Sequence, residues 1–133
     1  MEFFEYYNPH PKKKIVGDCV KRACVKATGI PYLDVQKELN RIKREIGADA
    51  FNSDRVWKKF LSDKGFIKIS YPAVAGQKRM TVRKLAEQSG VNEVYVCQCA
   101  NHLVCVTSKH YYEHGIAVTS VCMWHINYID RRQ

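Results

Sequence analysis

The sequence has no apolar run approaching the ~18 residues that a membrane-spanning helix needs, which excludes an integral helical membrane protein and any membrane partner of that kind. Its opening residues, Met1-Glu2-Phe3-Phe4-Glu5, are acidic and aromatic. They lack the basic segment and apolar core of a secretory leader, so a cytoplasmic location is expected. Glycine and proline are sparse, at 7 and 4 of 133 residues, and no repeat, low-complexity tract or linker interrupts the chain. One domain over residues 1–133 is expected. A chain this long buries about 65–70 % of the surface it exposes when unfolded, so it can hold a core without disulfides or metal. Acidic residues are the other shortage: 13 Asp+Glu against 22 Lys+Arg leave a formal charge of +9.

That charge by itself favours nucleic acid, an acidic protein or an anionic membrane surface, and of these an acidic protein or nucleic acid met through a basic surface is expected, with no membrane partner. The cations are dispersed, however, with the densest groups at Lys12-Lys13-Lys14, Lys21-Arg22 and Arg41 to Arg44. Six cysteines are present. Without a secretion signal they are expected as thiols. Cys97, Cys99, His102, Cys105 and Cys122 carry the donor atoms zinc prefers. Their spacing contains no C-x-x-C pair, so no metal and no cofactor is expected.

Periodicity divides the chain. Asp18 is a good N-cap residue, and Val20, Ala23, Cys24 and Ala27 follow at helical spacing up to Gly29. This predicts a helix over 19–28 with Cys19 in its first turn. Tyr32, Val35, Leu39, Ile42 and Ile46 predict a second helix from Pro31 to Ile46. A third starts near Ser53, buries Val56, Trp57, Phe60 and Leu61, and ends at Gly65. Phe66 to Tyr71 reads as a strand, Pro72 to Arg79 as a loop, and Thr81 caps a short helix through Gln88. Beyond Gly90 β-formers dominate: Glu93 to Cys99, His102 to Thr107, His110 to Tyr112 and Ile116 to Met123. Helices followed by strands predict an α+β fold, with N-terminal helices packed on a C-terminal antiparallel sheet.

Cys19 is the residue with the most chemistry in it. A helix start offers free N–H groups and the positive end of the macrodipole. Both stabilise a thiolate and can hold an oxyanion during acyl transfer. Such a thiol needs a base, usually histidine. His102 opens an apolar strand, sharing one face with Val104 and Val106. His110, His114 and His125 have no motif around them and read as turn and surface residues. Trp57 and Trp124 read as core or groove walls.

The stretch Gly17-Asp18-Cys19-Val20-Lys21-Arg22-Ala23 resembles the nucleophile helix of small papain-like cysteine peptidases found in bacteria and their phages. Tyr95 to Val106, ending in His102-Leu103-Val104, is similar to their histidine strand, and Tyr111-Tyr112-Glu113 to the segment that supplies an acid. The resemblance runs from Gly17 to about Trp124. It implies a minimal papain-like fold and a cysteine peptidase that hydrolyses a peptide or isopeptide bond in a protein or peptide substrate. It further implies Cys19 as nucleophile, His102 as base, and Glu113 in place of the usual Asp or Asn as the third member, with Asn101 and Asp18 as the other candidates to orient His102. That family also supplies a Gln side chain ahead of the nucleophile. Here Lys13 stands there instead, leaving the Cys19 N–H with Lys13 or Asn8 as donors. The rival reading is a non-catalytic basic protein, for example a phage-type inhibitor, acting on a host protein or nucleic acid.

Overall fold

The structure is a computed structural model that describes residues 3–70, 75–76, 79–100, 102–114 and 125–132. Strand β1 (Phe4–Tyr6) leads through a loop to helix α1 (Cys19–Thr28), followed by α2 (Tyr32–Ile46), α3 (Asp54–Asp63), β2 (Phe66–Ser70) and α4 (Val82–Gln88). The remaining strands are β3 (Val94–Cys99), β4 (His102–Thr107), β5 (His110–Glu113) and β6 (Tyr128–Arg132). None of the helices among the described residues is long and apolar enough to cross a membrane.

The helices stand close to where periodicity put them, and their ends show why. Gly29 and Gly47 follow α1 and α2 with φ of 77° and 69°, a left-handed conformation that glycine adopts without a Cβ penalty. Thr81 caps α4 through its side chain, which accepts the Lys84 N–H at 3.2 Å. Two caps differ from expectation. Pro31 is the N-cap of α2 rather than a member of its first turn. Asp18 occupies the N-cap position of α1, but its carboxylate makes no cap hydrogen bond, because Arg22 and Tyr32 take it instead.

The six strands form one mixed sheet in the order β1-β5-β4-β3-β6-β2. The α+β class therefore holds, but the sheet is neither wholly C-terminal nor wholly antiparallel. β1 precedes all the helices and β2 lies between α3 and α4, and β1 lies parallel to β5, pairing Phe4 with Tyr111 and Tyr6 with Glu113. The remaining pairings are antiparallel. β6 is a strand that hydropathy did not announce: Tyr-Ile-Asp-Arg-Arg is rich in charge, yet it lies between β3 and β2 with Ile129 and Asp130 buried. Burial raises the Asp130 pKa in spite of nearby Lys58 and Lys68. The strand expected over Ile116 to Met123, together with Asn101, Cys122, Trp124 and most of the loop from Pro72, lies outside the described residues.

Strand alternation sorts side chains into two cores. On one face Val94, Val96, Leu103 and Cys105 pack against Val20, Ala23 and Cys24 of α1, Val35 and Leu39 of α2, and Val56 and Phe60 of α3. On the other, Tyr95, Cys97, Cys99, Val104, Val106 and Tyr111 pack against Val82, Leu85 and Ala86 of α4. Cys105 is thereby separated by the sheet from Cys97 and Cys99, which rules those three out as ligands of one ion. Among the described residues no group of three or more His, Cys, Asp or Glu is arranged to hold a metal.

Candidate active site

The position of α1 sets the site. This helix packs across β4 and β3, and its N-terminus meets the sheet end where β4 begins with His102 and the antiparallel β5 finishes with Glu113. Cys19 is the first residue of the helix and is half-buried. The first helical hydrogen bond runs from Arg22 N–H to the Asp18 carbonyl at 2.8 Å. The N–H groups of Cys19, Val20 and Lys21 thus have no acceptor within the helix.

Cys19 and His102 line the same cavity wall, and both the His102 side chain and the Leu103 backbone N–H act on the Cys19 thiol as hydrogen-bonding groups that favour its ionised form. Burial by itself would push the thiol up. The two hydrogen bonds and the charges of His102 and Arg22 outweigh it, and the Cys19 pKa falls below its ordinary 9.0. His102 moves the opposite way. Burial disfavours its charged form, but hydrogen bonds to Cys19 and Glu113 prevail and raise its pKa to about 9. The two shifts run in the directions that favour a thiolate beside an imidazolium.

By register His102, opposite Cys99, keeps the face of Val104 and Val106, and its contact with Cys19 is made at the sheet end. Val104 and Val106 pack toward α4, whereas Cys19 packs with the α1 core. His102 is the first residue of its strand, where the pleat has a neighbour on one side only and the side chain can turn across the sheet end.

Glu113 is almost wholly buried, at 1 % exposure. Its Oε2 is hydrogen-bonded to His102 Nε2. Its Oε1 accepts from Arg22 Nη2 and from the His114 backbone N–H, the latter at 2.9 Å. Burial alone would raise this carboxyl, but the His102 hydrogen bond and the Arg22 charge bring its pKa below the ordinary value.

Arg22 is the residue that sequence reasoning missed, having been grouped with Lys21 among the dispersed cations. It is 4 % exposed. Beyond Glu113, its Nη1 donates to Asp18 Oδ1 at 2.6 Å and lies 2.9 Å from His114 Nε2. Tyr32 completes the cluster by donating its hydroxyl to Asp18 Oδ2 at 2.9 Å. His114, expected at the surface, is buried in this cluster. The signal available in the sequence was the i,i+4 spacing of Asp18 and Arg22. Asp18 does not orient His102 directly, since both its oxygens are taken by Arg22 and Tyr32.

Cys19, His102 and Leu103 open on a cavity of about 350 Å³ whose other walls include Val20 and Trp57 and, on the polar side, Asn52, Asp54 and Gln98. The donors expected upstream of the nucleophile are elsewhere. Asn8 Nδ2 donates to the Lys14 carbonyl at 3.2 Å, and Lys13 Nζ donates to the Asn8 carbonyl at 3.1 Å. Both residues line a different cavity with Tyr6, Tyr7 and Pro9. Tyr111 and Tyr112 pack against Phe4 and Tyr7, with ring centroids 5.6 and 5.8 Å apart. The remaining described cysteines are buried thiols whose pKa burial raises, Cys99 and Cys105 to about 12.

Compared with protein-family models, with curated proteins and with solved structures, the chain gives no match.

Proposed function

We propose that the chain is a cysteine hydrolase of papain-like architecture that cleaves a peptide or isopeptide bond through a thioester on Cys19. One observation carries this reading: a cysteine at a helix N-terminus lines an open cavity together with a histidine that lowers its pKa and whose other partner is a buried carboxylate. Nucleophile, base and orienting acid in a hydrogen-bonded chain are the arrangement that acyl transfer requires.

In this mechanism the Cys19 thiolate adds to the acyl carbon, forming a carbon–sulfur bond and moving the carbonyl electron pair onto oxygen. The His102 imidazolium donates its proton to the leaving nitrogen as the carbon–nitrogen bond breaks. Neutral His102 then takes a proton from water, and the hydroxide equivalent displaces the thiolate from the thioester. Glu113 keeps the imidazole turned toward Cys19 and offsets its charge. Arg22 and the His114 N–H hold Glu113 in place.

The test is alkylation at neutral pH with a limiting amount of iodoacetamide, read residue by residue by mass spectrometry, followed by incubation of the protein with a peptide library. Cys19 is expected to react well ahead of the buried thiols, and cleavage products are expected that vanish in Cys19→Ala. Uniform labelling of all cysteines would sink the proposal, and so would cleavage that persists in Cys19→Ala. Strongly salt-dependent binding to random nucleic acid without labelling at Cys19 would favour the basic binding protein instead.

A further inference from the structure

The proposed mechanism leaves one group unassigned. The oxygen of the attacked carbonyl becomes negative and needs donors in addition to the Cys19 N–H, and Asn8 and Lys13 are engaged away from the cavity. Gln98 is placed differently. In the β3–β4 pairing it stands directly opposite Leu103, which lines the cavity beside Cys19. Opposed residues share a face, with Cβ atoms about 4.5–5.5 Å apart. Leu103 belongs to the core on the α1 side, so Gln98 lies on that side too, and it lines the same cavity as Cys19 and His102.

The orientation of its amide is set by Asp54. A carboxylate only accepts hydrogen bonds, so the end of Gln98 facing it is Nε2, 3.1 Å from Asp54 Oδ2. Asp54 itself is more than half exposed and lies at the cavity wall. Gln98 Oε1 is consequently turned inward. It is closed off from solvent and has no hydrogen-bond partner among the described residues. A buried acceptor left unpaired is unfavourable and calls for a reason. Holding the donor end of the amide toward the cavity is such a reason, because Nε2 carries two protons and Asp54 takes one.

We infer that Gln98 Nε2 is the side-chain donor to the oxyanion, acting with the Cys19 N–H, and that Asp54 is the residue positioning it. This assignment rests on Cys19 being the nucleophile. It replaces a donor upstream of the cysteine with one from the strand beside the histidine.

Two reagents isolate the effect. With p-nitrophenyl acetate, the Cys19 thiolate adds to the ester carbonyl and the electron pair moves to oxygen. The oxyanion pair then re-forms the carbonyl as the carbon–oxygen bond to the leaving group breaks, p-nitrophenolate departs with the pair of that bond, and an acetyl thioester remains. With iodoacetamide, the thiolate displaces iodide at a saturated carbon and no oxyanion forms. In Gln98→Leu the p-nitrophenolate burst, corrected with Cys19→Ala, is expected to slow about 100-fold or more while Cys19 alkylation keeps its rate. Asp54→Asn, a change at an exposed position, frees the amide to turn and is expected to slow the burst with alkylation again retained. Equal losses in both reactions would make Gln98 merely structural and overturn the assignment, as would an undiminished burst in both variants. An unaltered protein with neither burst nor preferential alkylation at Cys19 would instead remove the nucleophile on which the assignment rests.

Discussion

Cys19, His102 and Glu113 set the pH behaviour expected of the protein. Cys19 titrates below its ordinary 9.0 and His102 at about 9. Hydrolysis needs the thiolate and the imidazolium together. Its rate should therefore rise through the lowered Cys19 pKa and fall as His102 loses its proton near 9, giving a bell in kcat/KM. Alkylation needs only the thiolate, so it should rise through the Cys19 pKa and show no alkaline decline. In His102→Ala that rise should move upward toward the ordinary thiol range, because the main donor and cation holding the thiolate are gone. A profile of alkylation rate against pH for the two proteins checks the sign. His102 also contributes stability below its ordinary 6.5 that is lost as pH rises through about 9.

Glu113 is testable at the same scale. Glu113→Gln keeps the size of the side chain but removes the charge that supports the imidazolium. Hydrolysis should fall by roughly 10²–10⁴-fold, the range seen when acid–base support is lost, and the alkaline limb should move below 9. An unchanged alkaline limb would remove Glu113 from the triad.

At the scale of elements, α1 matters most, because its first turn carries the proposed nucleophile and its end must leave room for the loop to α2. Gly29 terminates it with φ 77°. Open space surrounds the position, so Gly29→Ala meets no clash, and its expected cost of about 1–2 kcal/mol is the left-handed backbone alone. Urea unfolding measures it. In α2, Leu39 is fully buried, and Leu39→Ala should cost about 2–5 kcal/mol. Cys19 alkylation in the folded fraction should be unchanged, since Leu39 does not line the cavity.

Across the whole molecule, Arg22 ties the first helix to the end of β5, through a partner 91 positions along the chain. Replacing it with Met leaves Glu113 and Asp18 buried without their shared cation, and breaking a buried pair in this way costs about 3–5 kcal/mol. The loss should be largest near neutral pH. Glu113 has a lowered pKa, so its contribution is present above the ordinary carboxyl value of 4.5 and fades as pH falls through the lower folded one. Unfolding curves of Arg22→Met and the unaltered protein should therefore converge in acid. An equal gap at every pH would contradict the assignment of that charge to Glu113.

How much of this was legible beforehand follows from the reach of each interaction. Helix α1 could be read from Cys19 to Thr28 because apolar spacing, a polar start and a glycine stop are local signals, and β4 could be read for the same reason from its run of β-formers. The chemistry of Cys19 was visible in part, because a thiol at a helix start feels nearby N–H groups whatever the rest of the chain does. The parallel pairing of β1, the interior place of β6, the burial of Arg22 and His114, and the meeting of Gln98 with the cavity were not visible. Each depends on residues tens of positions apart being brought together, and a charge such as that of Asp130 or Arg22 tolerates burial only once distant neighbours supply its partners. Local order was thus settled by neighbouring side chains along the chain. The meeting of sulfur, imidazole and carboxylate was settled by the packing of α1 on the sheet, which brings the helix N-terminus to the end where β4 begins and β5 finishes.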